Sequence, residues 1–394
     1  MKRRTFLKTS TLASAGLFLP SLLRSGNFLF PQKTTKKLIL IHLNGGNDWL
    51  NTIIPFKNEL YYKFRPKIAI PTDQVIPLTG TLGLHPALKT LKELYAQKEM
   101  CIVNNVGYPN PDRSHFRSSD IWHSAGDSNE YISTGWLGRY MDLHCTNAYE
   151  AVQGDLNLSL ALKGNNLNGV AIKNLKHLHT ELQLPLYDNL IKSVKVDELN
   201  NDNQSYLYKT LIQTHTAFDY VFEKNKLVQN NKEYPKGGFG TQLKNAASLI
   251  AAESDIKIFF MSINGFDTHM GQLKRQEKLL TNFSEGISTF IENLKELNKW
   301  DDTLIMTYSE FGRRAEENAN AGTDHGTAGN VLLFGKNLKK TGIVNEDPDL
   351  ENLLDGDLKH SIDFRSIYKN VLQNWMQVDA DAIIPQKVKG LELI

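Results

Sequence analysis

Short apolar runs alternate along the chain with longer segments of helical spacing. Lys37-Leu38-Ile39-Leu40-Ile41-His42-Leu43 is a compact apolar run that ends in a Gly-Gly turn. Residues 86–98 space their apolar positions as a helix does and lead into Met100-Cys101-Ile102-Val103, a second strand. Residues 242–253 predict a helix and 256–263 the strand after it. Residues 272–298 predict a long helix with Leu279, Leu280, Phe283, Ile287, Phe290, Ile291 and Leu294 on one face. Strands follow at 303–308 and 331–334, then a last helix over about 366–376. Strands that are apolar on both faces and separated by helices are the pattern of a parallel sheet buried under helices. The expected fold class is therefore α/β, a mostly parallel central sheet sandwiched by helices. Residues 150–235 are less regular and rich in Asn, Leu and Lys, but no Pro/Gly/Ser linker sets them apart. The reading is one domain, residues 32–394, with an elaborated middle.

The first 31 residues do not join this pattern. Lys2-Arg3-Arg4-Thr5-Phe6-Leu7-Lys8 places two adjacent arginines before an apolar pair and a lysine. A modest apolar stretch follows over residues 12–23, diluted by serine, glycine and Pro20. It is shorter and more polar than the roughly 20 apolar residues of a permanent membrane span. The order resembles a twin-arginine export signal. Residues 1–31 are read as that signal peptide with a short leader, the twin-arginine export machinery as a partner, and the location as periplasmic or otherwise exported. No later segment is apolar enough to make an integral membrane protein.

Charge changes the picture only after that segment is set aside. The formal net charge of the chain is +2, but Lys2, Arg3, Arg4, Lys8 and Arg24 lie in the first 25 residues with no acid beside them. The remainder is near neutral and slightly acidic, which argues against nucleic acid as a partner. The two cysteines, Cys101 and Cys145, are too few for a disulfide-built scaffold, and Cys101 falls in an apolar run that predicts burial.

The chemistry-bearing residues stand where the predicted strands end. Asn44-Gly45-Gly46-Asn47-Asp48-Trp49 follows the first strand, and Pro111-Asp112-Arg113-Ser114-His115-Phe116 follows the second and opens a helix. Asn264-Gly265-Phe266-Asp267-Thr268-His269 and Ser309-Glu310-Phe311-Gly312-Arg313 follow later strands, and Thr323-Asp324-His325-Gly326 precedes the last one. Ligands of open α/β sheets bind beyond the carboxyl ends of the strands. Each motif alone reads as a turn, a helix cap or a satisfied histidine, whereas their recurrence at successive strand ends points to one site. Oxygen and nitrogen donors without thiolate suit Zn²⁺, Mn²⁺, Mg²⁺ or Ca²⁺. A serine at a helix start supplies a nucleophile, with the helix N-terminus directed at an anion. Arg113, Arg117 and Arg313 are candidates to grip a tetrahedral oxyanion, and His115 or His123 to act as general acid. His42, inside a strand, reads as structural.

These residues make a resemblance visible. Over nearly its whole length after the leader the chain is similar to domain-of-unknown-function family 1501. The marks are Gly45-Gly46-Asn47-Asp48, Arg113-Ser114-His115-Phe116, Gly135-Trp136-Leu137-Gly138-Arg139, Gly265-Phe266-Asp267-Thr268-His269, Ser309-Glu310-Phe311-Gly312-Arg313 and Asp324-His325-Gly326. That family resembles a branch of the alkaline phosphatase and sulfatase superfamily. The resemblance implies an alkaline phosphatase-like fold and an exported metal-dependent hydrolase of phosphate or sulfate esters on a small molecule or glycan. It implies Ser114 as nucleophile, with Arg113 and His115 beside it. It implies Asp48, Asp267, His269, Glu310 and His325 as ligands to one or two divalent ions, with Asp324 a further ligand or a partner for a histidine. Phe311 stands where the superfamily usually carries a histidine donor, and the two-residue spacing of Asp267 and His269 is tighter than usual. Those departures leave the number of ions open. They also leave room for a non-catalytic relative, an exported binding or envelope-assembly protein.

Overall fold

The structure, a computed structural model, describes residues 36–173 and 203–394. The expected signal segment, residues 1–31, and part of the middle region lie outside the described residues. The strands are β1 (Lys37–Asn44), β2 (Ile53–Ile54), β3 (Ile76–Pro77), β4 (Gly83–Leu84), β5 (Met100–Gly107), β6 (Ala151–Gln153), β7 (Val170–Ala171), β8 (Ile258–Asn264), β9 (Thr303–Tyr308), β10 (Gly329–Phe334), β11 (Gly342–Ile343) and β12 (Ile362–Asp363). The helices that matter below are α1 (Glu59–Phe64), α2 (Leu91–Ala96), α3 (His115–Ser124), α4 (Trp136–His144), α5 (Asn203–Lys226), α6 (Gly238–Ala251), α7 (Gln272–Glu296) and α8 (Phe364–Asn370). The main sheet has the order β11-β5-β10-β9-β1-β8-β6-β7, with β12 also on β5, and β2, β4 and β3 make a small separate sheet.

The apolar runs are strands because both faces are covered. Leu38, Ile39, Leu40 and Ile41 of β1 are all fully buried, as a run that alternates toward two layers of helices demands. The long helix α7 buries Leu280, Phe283, Ile287, Phe290, Ile291 and Leu294 and packs on α6, while Leu279 at the edge of the stripe is only partly covered. The predicted helix at 86–98 divides into a 3₁₀ turn, Pro86–Leu88, and α2. The described part of the middle region is built into the sheet: β6 and β7 continue it in parallel beyond β8, and α5 packs on α6 and β7.

Strand direction positions the site. β1 lies between β8 and β9 and is parallel to both, with Asn44 beside Asn264 and His42 beside Tyr308. Three strands running one way open their following loops at one edge. β10 is the exception to the parallel pattern, antiparallel to both β9 and β5. The chain returns from β9 through a segment with no helix and re-enters the sheet from the same edge, which makes the pair antiparallel. Gly329 at the start of β10 pairs with Val106 near the end of β5, so residues 323–328 reach the same edge from the other direction. Both cysteines are free thiols, Cys101 buried. Among the described residues no helix is long and apolar enough to cross a membrane.

Candidate functional site

The loops at this edge approach each other backbone to backbone. Gly45 has φ +121°, and a Cβ there would stand 2.4 Å from the Asp267 backbone nitrogen. Gly46, at φ +73°, would drive a Cβ into the Phe311 ring. Only glycine allows both the left-handed turn and the contact. Arg313 then ties the loops together. Its Nε donates to the Gly46 carbonyl at 2.6 Å and its Nη1 to Thr323 at 2.9 Å; its Nη2 donates to the carbonyls of Gly45 and Phe266 and to Asp267 Oδ1 at 2.8 Å. With its side chain fully buried, Arg313 is a clamp between loops and not the oxyanion grip its motif suggested. Arg117 is likewise occupied, donating to the carbonyls of Asp127, Ser128 and Glu130 and lying over the Tyr131 ring.

Four side chains converge inside this frame. Asp267 Oδ1 lies 3.0 Å from His269 Nε2, 3.3 Å from His325 Nε2 and 3.5 Å from His115 Nε2. Donor atoms of His115, Asp267 and His325 all fall within 4.8 Å of one another, and His269 Nε2 is 2.9 Å from His325 Nε2. The opposite nitrogen of each ring is held from behind. His115 Nδ1 donates to Glu310 Oε1 at 2.8 Å, His269 Nδ1 to Asp324 Oδ1 at 3.2 Å, and His325 Nδ1 to the Arg113 carbonyl at 2.7 Å. Because those partners only accept, each Nδ1 carries a proton, and in a neutral ring the Nε2 then presents a lone pair inward. Two lone pairs cannot face each other at 2.9 Å unless a proton or a cation lies between them. His115 Nε2 is buried and makes no hydrogen bond. Imidazoles held through Nδ1 by carboxylate or carbonyl, with Nε2 turned inward and a carboxylate among them, form a donor set able to hold a metal ion. Asp267 and His269 are 47% and 43% exposed, so the cluster is open to solvent on one side.

The structure brings some of the expected residues together and sets others apart. Asp267, His269 and His325 converge, and His115, expected beside the nucleophile, joins them as a fourth donor. Asp324 stands behind His269. Glu310, expected as a ligand, stands behind His115: it is fully buried, its Oε1 also accepts from Gly45 N at 2.9 Å, and its Oε2 accepts from His42 Nε2 at 3.0 Å. Asp48 is outside the cluster, 1% exposed, with Oδ2 on Arg65 Nη1 at 2.6 Å and on Gln272 Nε2, and Oδ1 on Leu50 N at 3.2 Å. Ser114 is the N-cap residue of α3, yet its side chain caps nothing; its N–H donates to Asp112 Oδ1 and the hydroxyl is exposed. Arg113 pairs with the buried Asp357 carboxylate and is 43% exposed. Phe311 is buried against the rings of His115 and His325, at centroid distances of 4.9 and 4.7 Å. Sequence reasoning did not identify Arg65 or Gln272, which carry no motif, and left His42 as a structural strand residue. The one signal for His42 is a polar residue in an otherwise apolar run of β1.

The electrostatics follow the hydrogen bonds. Burial pushes the Glu310 carboxyl up, but the hydrogen bonds from His115 and His42 outweigh it and hold it well below the usual carboxylate range. Asp267 behaves alike: burial opposes ionisation and Arg313, with His325 and His269, overrides it. The Glu310 hydrogen bond raises His115 against the cost of burial, whereas burial and the nearby Arg313 lower His325. The cluster thus presents ionised carboxylates beside imidazoles of unlike basicity.

Solved structures that the chain resembles carry low sequence identity. The lipoteichoic acid synthase LtaP from Listeria monocytogenes is 10% identical at TM-score 0.36, covering 79% of this chain and 68% of that one. The PsFucS1 sulfatase from Pseudoalteromonas sp. is 10% identical at TM-score 0.39, covering 88% and 69%. The C-terminal periplasmic domain of EptC from Escherichia coli, in complex with Zn, is 9% identical at TM-score 0.36, covering 77% and 73%. No curated protein matches the chain. The family described as "Protein of unknown function (DUF1501)" matches residues 97–384, which include every residue of the four-donor cluster, and the chain belongs to that family.

Proposed function

We propose that the protein is an exported metal-dependent hydrolase of phosphate or sulfate esters. The observation that carries the reading is the convergence of three Nε2 atoms on the Asp267 carboxylate, each imidazole locked by a partner on Nδ1. A divalent ion bound there supplies Lewis-acid polarisation of a phosphoryl or sulfuryl oxygen. His115, Asp267, His269 and His325 would hold it; Glu310, Asp324 and the Arg113 carbonyl fix the ring orientations. Ser114 offers an exposed hydroxyl one residue from His115, at the N-terminus of a ten-residue helix whose first-turn N–H groups favour an anion. In this reading Ser114 Oγ forms a bond to phosphorus or sulfur as the ester oxygen leaves. The leaving alcohol takes up a proton as Ser114 gives one to solvent, and water then hydrolyses the serine ester. The half-exposed Arg113 guanidinium, balanced by Asp357, would accompany the substrate anion in this reading. Arg3 and Arg4 support export by a route that carries already folded proteins, which agrees with a centre built from distant loops.

The test is metal analysis of the purified protein, with hydrolysis of aryl phosphate and aryl sulfate esters by wild type, Ser114→Ala and Asp267→Asn. Asp267→Asn is expected to lower turnover at least about 100-fold and Ser114→Ala about 1,000-fold. Full activity in both variants sinks the mechanism. Phe311, in place of a donor, favours a second reading: a non-catalytic protein that uses the same cleft to bind an anionic glycan. Metal loading without turnover on any ester class would select it.

A further inference from the structure

Building on the metal reading above, we infer that the site holds one ion, of the imidazole-preferring first-row class, and that the Arg65 guanidinium occupies the place of a second cation beside Asp48. Asp48 is the strand-end carboxylate that the superfamily resemblance makes a ligand. Here it is already neutralised. Arg65, fully buried, donates from Nη1 to Asp48 Oδ2 at 2.6 Å and to Asn51 Oδ1 at 2.8 Å, from Nε to the Ala315 carbonyl at 2.9 Å and from Nη2 to the Arg314 carbonyl at 2.9 Å. A divalent ion on Asp48 would face a guanidinium held there by three further acceptors, in a setting where like charges are poorly screened.

Glu310 is closed to an ion as well. Both of its oxygens accept from His115, Gly45 N and His42. That leaves Asp267 as the one carboxylate within the cluster, among three imidazole nitrogens. Mg²⁺ and Ca²⁺ require six or more oxygen ligands, whereas three nitrogens and one oxygen suit Zn²⁺ and its first-row neighbours.

The Asp48–Arg65 pair has a positioning role in place of ligation. Gln272 donates from Nε2 to Asp48, while its Oε1 accepts from Thr268 Oγ1 at 3.2 Å and Thr323 Oγ1 at 2.7 Å. Thr268 lies between Asp267 and His269, and Thr323 precedes Asp324 and His325. One buried ion pair therefore braces the two loops that carry Asp267, His269 and His325, and Arg65 grips the chain just beyond Arg313.

The experiment uses the purified full chain, stripped of metal and titrated with Zn²⁺, Mn²⁺, Mg²⁺ and Ca²⁺ by calorimetry, with bound metal counted by mass spectrometry. Expected are one Zn²⁺ per chain, at least about 100-fold tighter than Mg²⁺ or Ca²⁺, and a loss of at least about 10-fold in Zn²⁺ affinity in His269→Ala. Asp48→Asn should keep one ion per chain while melting at a lower temperature. If that variant does not fold, Asp48→Asn with Arg65→Gln removes the pair together and gives the same count. Two ions per chain, Mg²⁺ or Ca²⁺ bound as tightly as Zn²⁺, or loss of the ion in the Asp48 variants overturns this inference and leaves a metal centre standing. No ion bound by the wild-type chain overturns both the inference and the metal reading beneath it.

Discussion

Glu310 shows how much a residue's role depends on what stands around its two oxygens. Its position after β9 made it a ligand by motif, yet its oxygens are taken by two imidazoles and a backbone N–H. Its effect on an ion is transmitted through His115: the carboxylate fixes the tautomer, the ring angle and the basicity of Nε2. A glutamine there cannot accept on both sides, because its amide nitrogen is a donor. Glu310→Gln is therefore expected to weaken metal affinity about 10- to 100-fold with the ion count unchanged, measured by competition with a chromogenic chelator. Loss of a whole ion equivalent would instead mean that Glu310 is itself a ligand.

At the scale of elements, the site is a meeting of loops set by strand direction. Parallel β1, β8, β9 and β5 deliver four loops to one edge and antiparallel β10 brings the fifth back to it. Close approach of the first two needs a residue without a side chain. Gly45→Ala would put a methyl group 2.4 Å from the Asp267 nitrogen and hold an L-residue at φ +121°. The expected cost is about 2–4 kcal/mol, with lower metal affinity because Asp267 must move. Gly80→Ala, in open space, serves as control and should shift the urea midpoint little. Equal midpoints for the two variants would show that the loop contact is not tight in solution.

The whole molecule should lose stability in mild acid through histidines that take no part in the cluster. Burial lowers His85 to about 4, and its Nδ1 accepts from Ala87 N at 3.0 Å, which a protonated ring cannot do. Burial, with His42 nearby, lowers His123 to about 3 between Ser159 and Tyr308. In the unfolded chain both titrate near 6.5. Between pH 6.5 and about 4 the unfolded state binds protons that the folded state refuses, so stability falls as pH falls. Each such group contributes about 1 kcal/mol per pH unit in that window. His85→Asn keeps the cap acceptor without the titration, and urea unfolding from pH 7.5 to 4.5 should show a shallower slope for it. An unchanged slope would remove His85 from the account.

The alternation of elements was legible in the sequence because apolar periodicity is local, and β1, β8, β9 and α7 fall close to their predicted positions. The convergence of motifs at strand ends was legible for the same reason: each motif adjoins its own strand. The sequence could not assign the carboxylates. Asp48 and Asp267 both follow a strand and a glycine turn, and what separates them is the partner each meets. Asp48 meets Arg65 and Gln272, the latter 224 residues away; Asp267 meets Arg313 and three imidazoles. The same holds for Glu310, with His42 lying 268 residues away, and for β10, whose direction depends on how the chain returns from β9. Periodicity and turn chemistry act over a few residues and are written in order along the chain. Which charge faces which lone pair is a contact between distant segments, and only the packed sheet decides it.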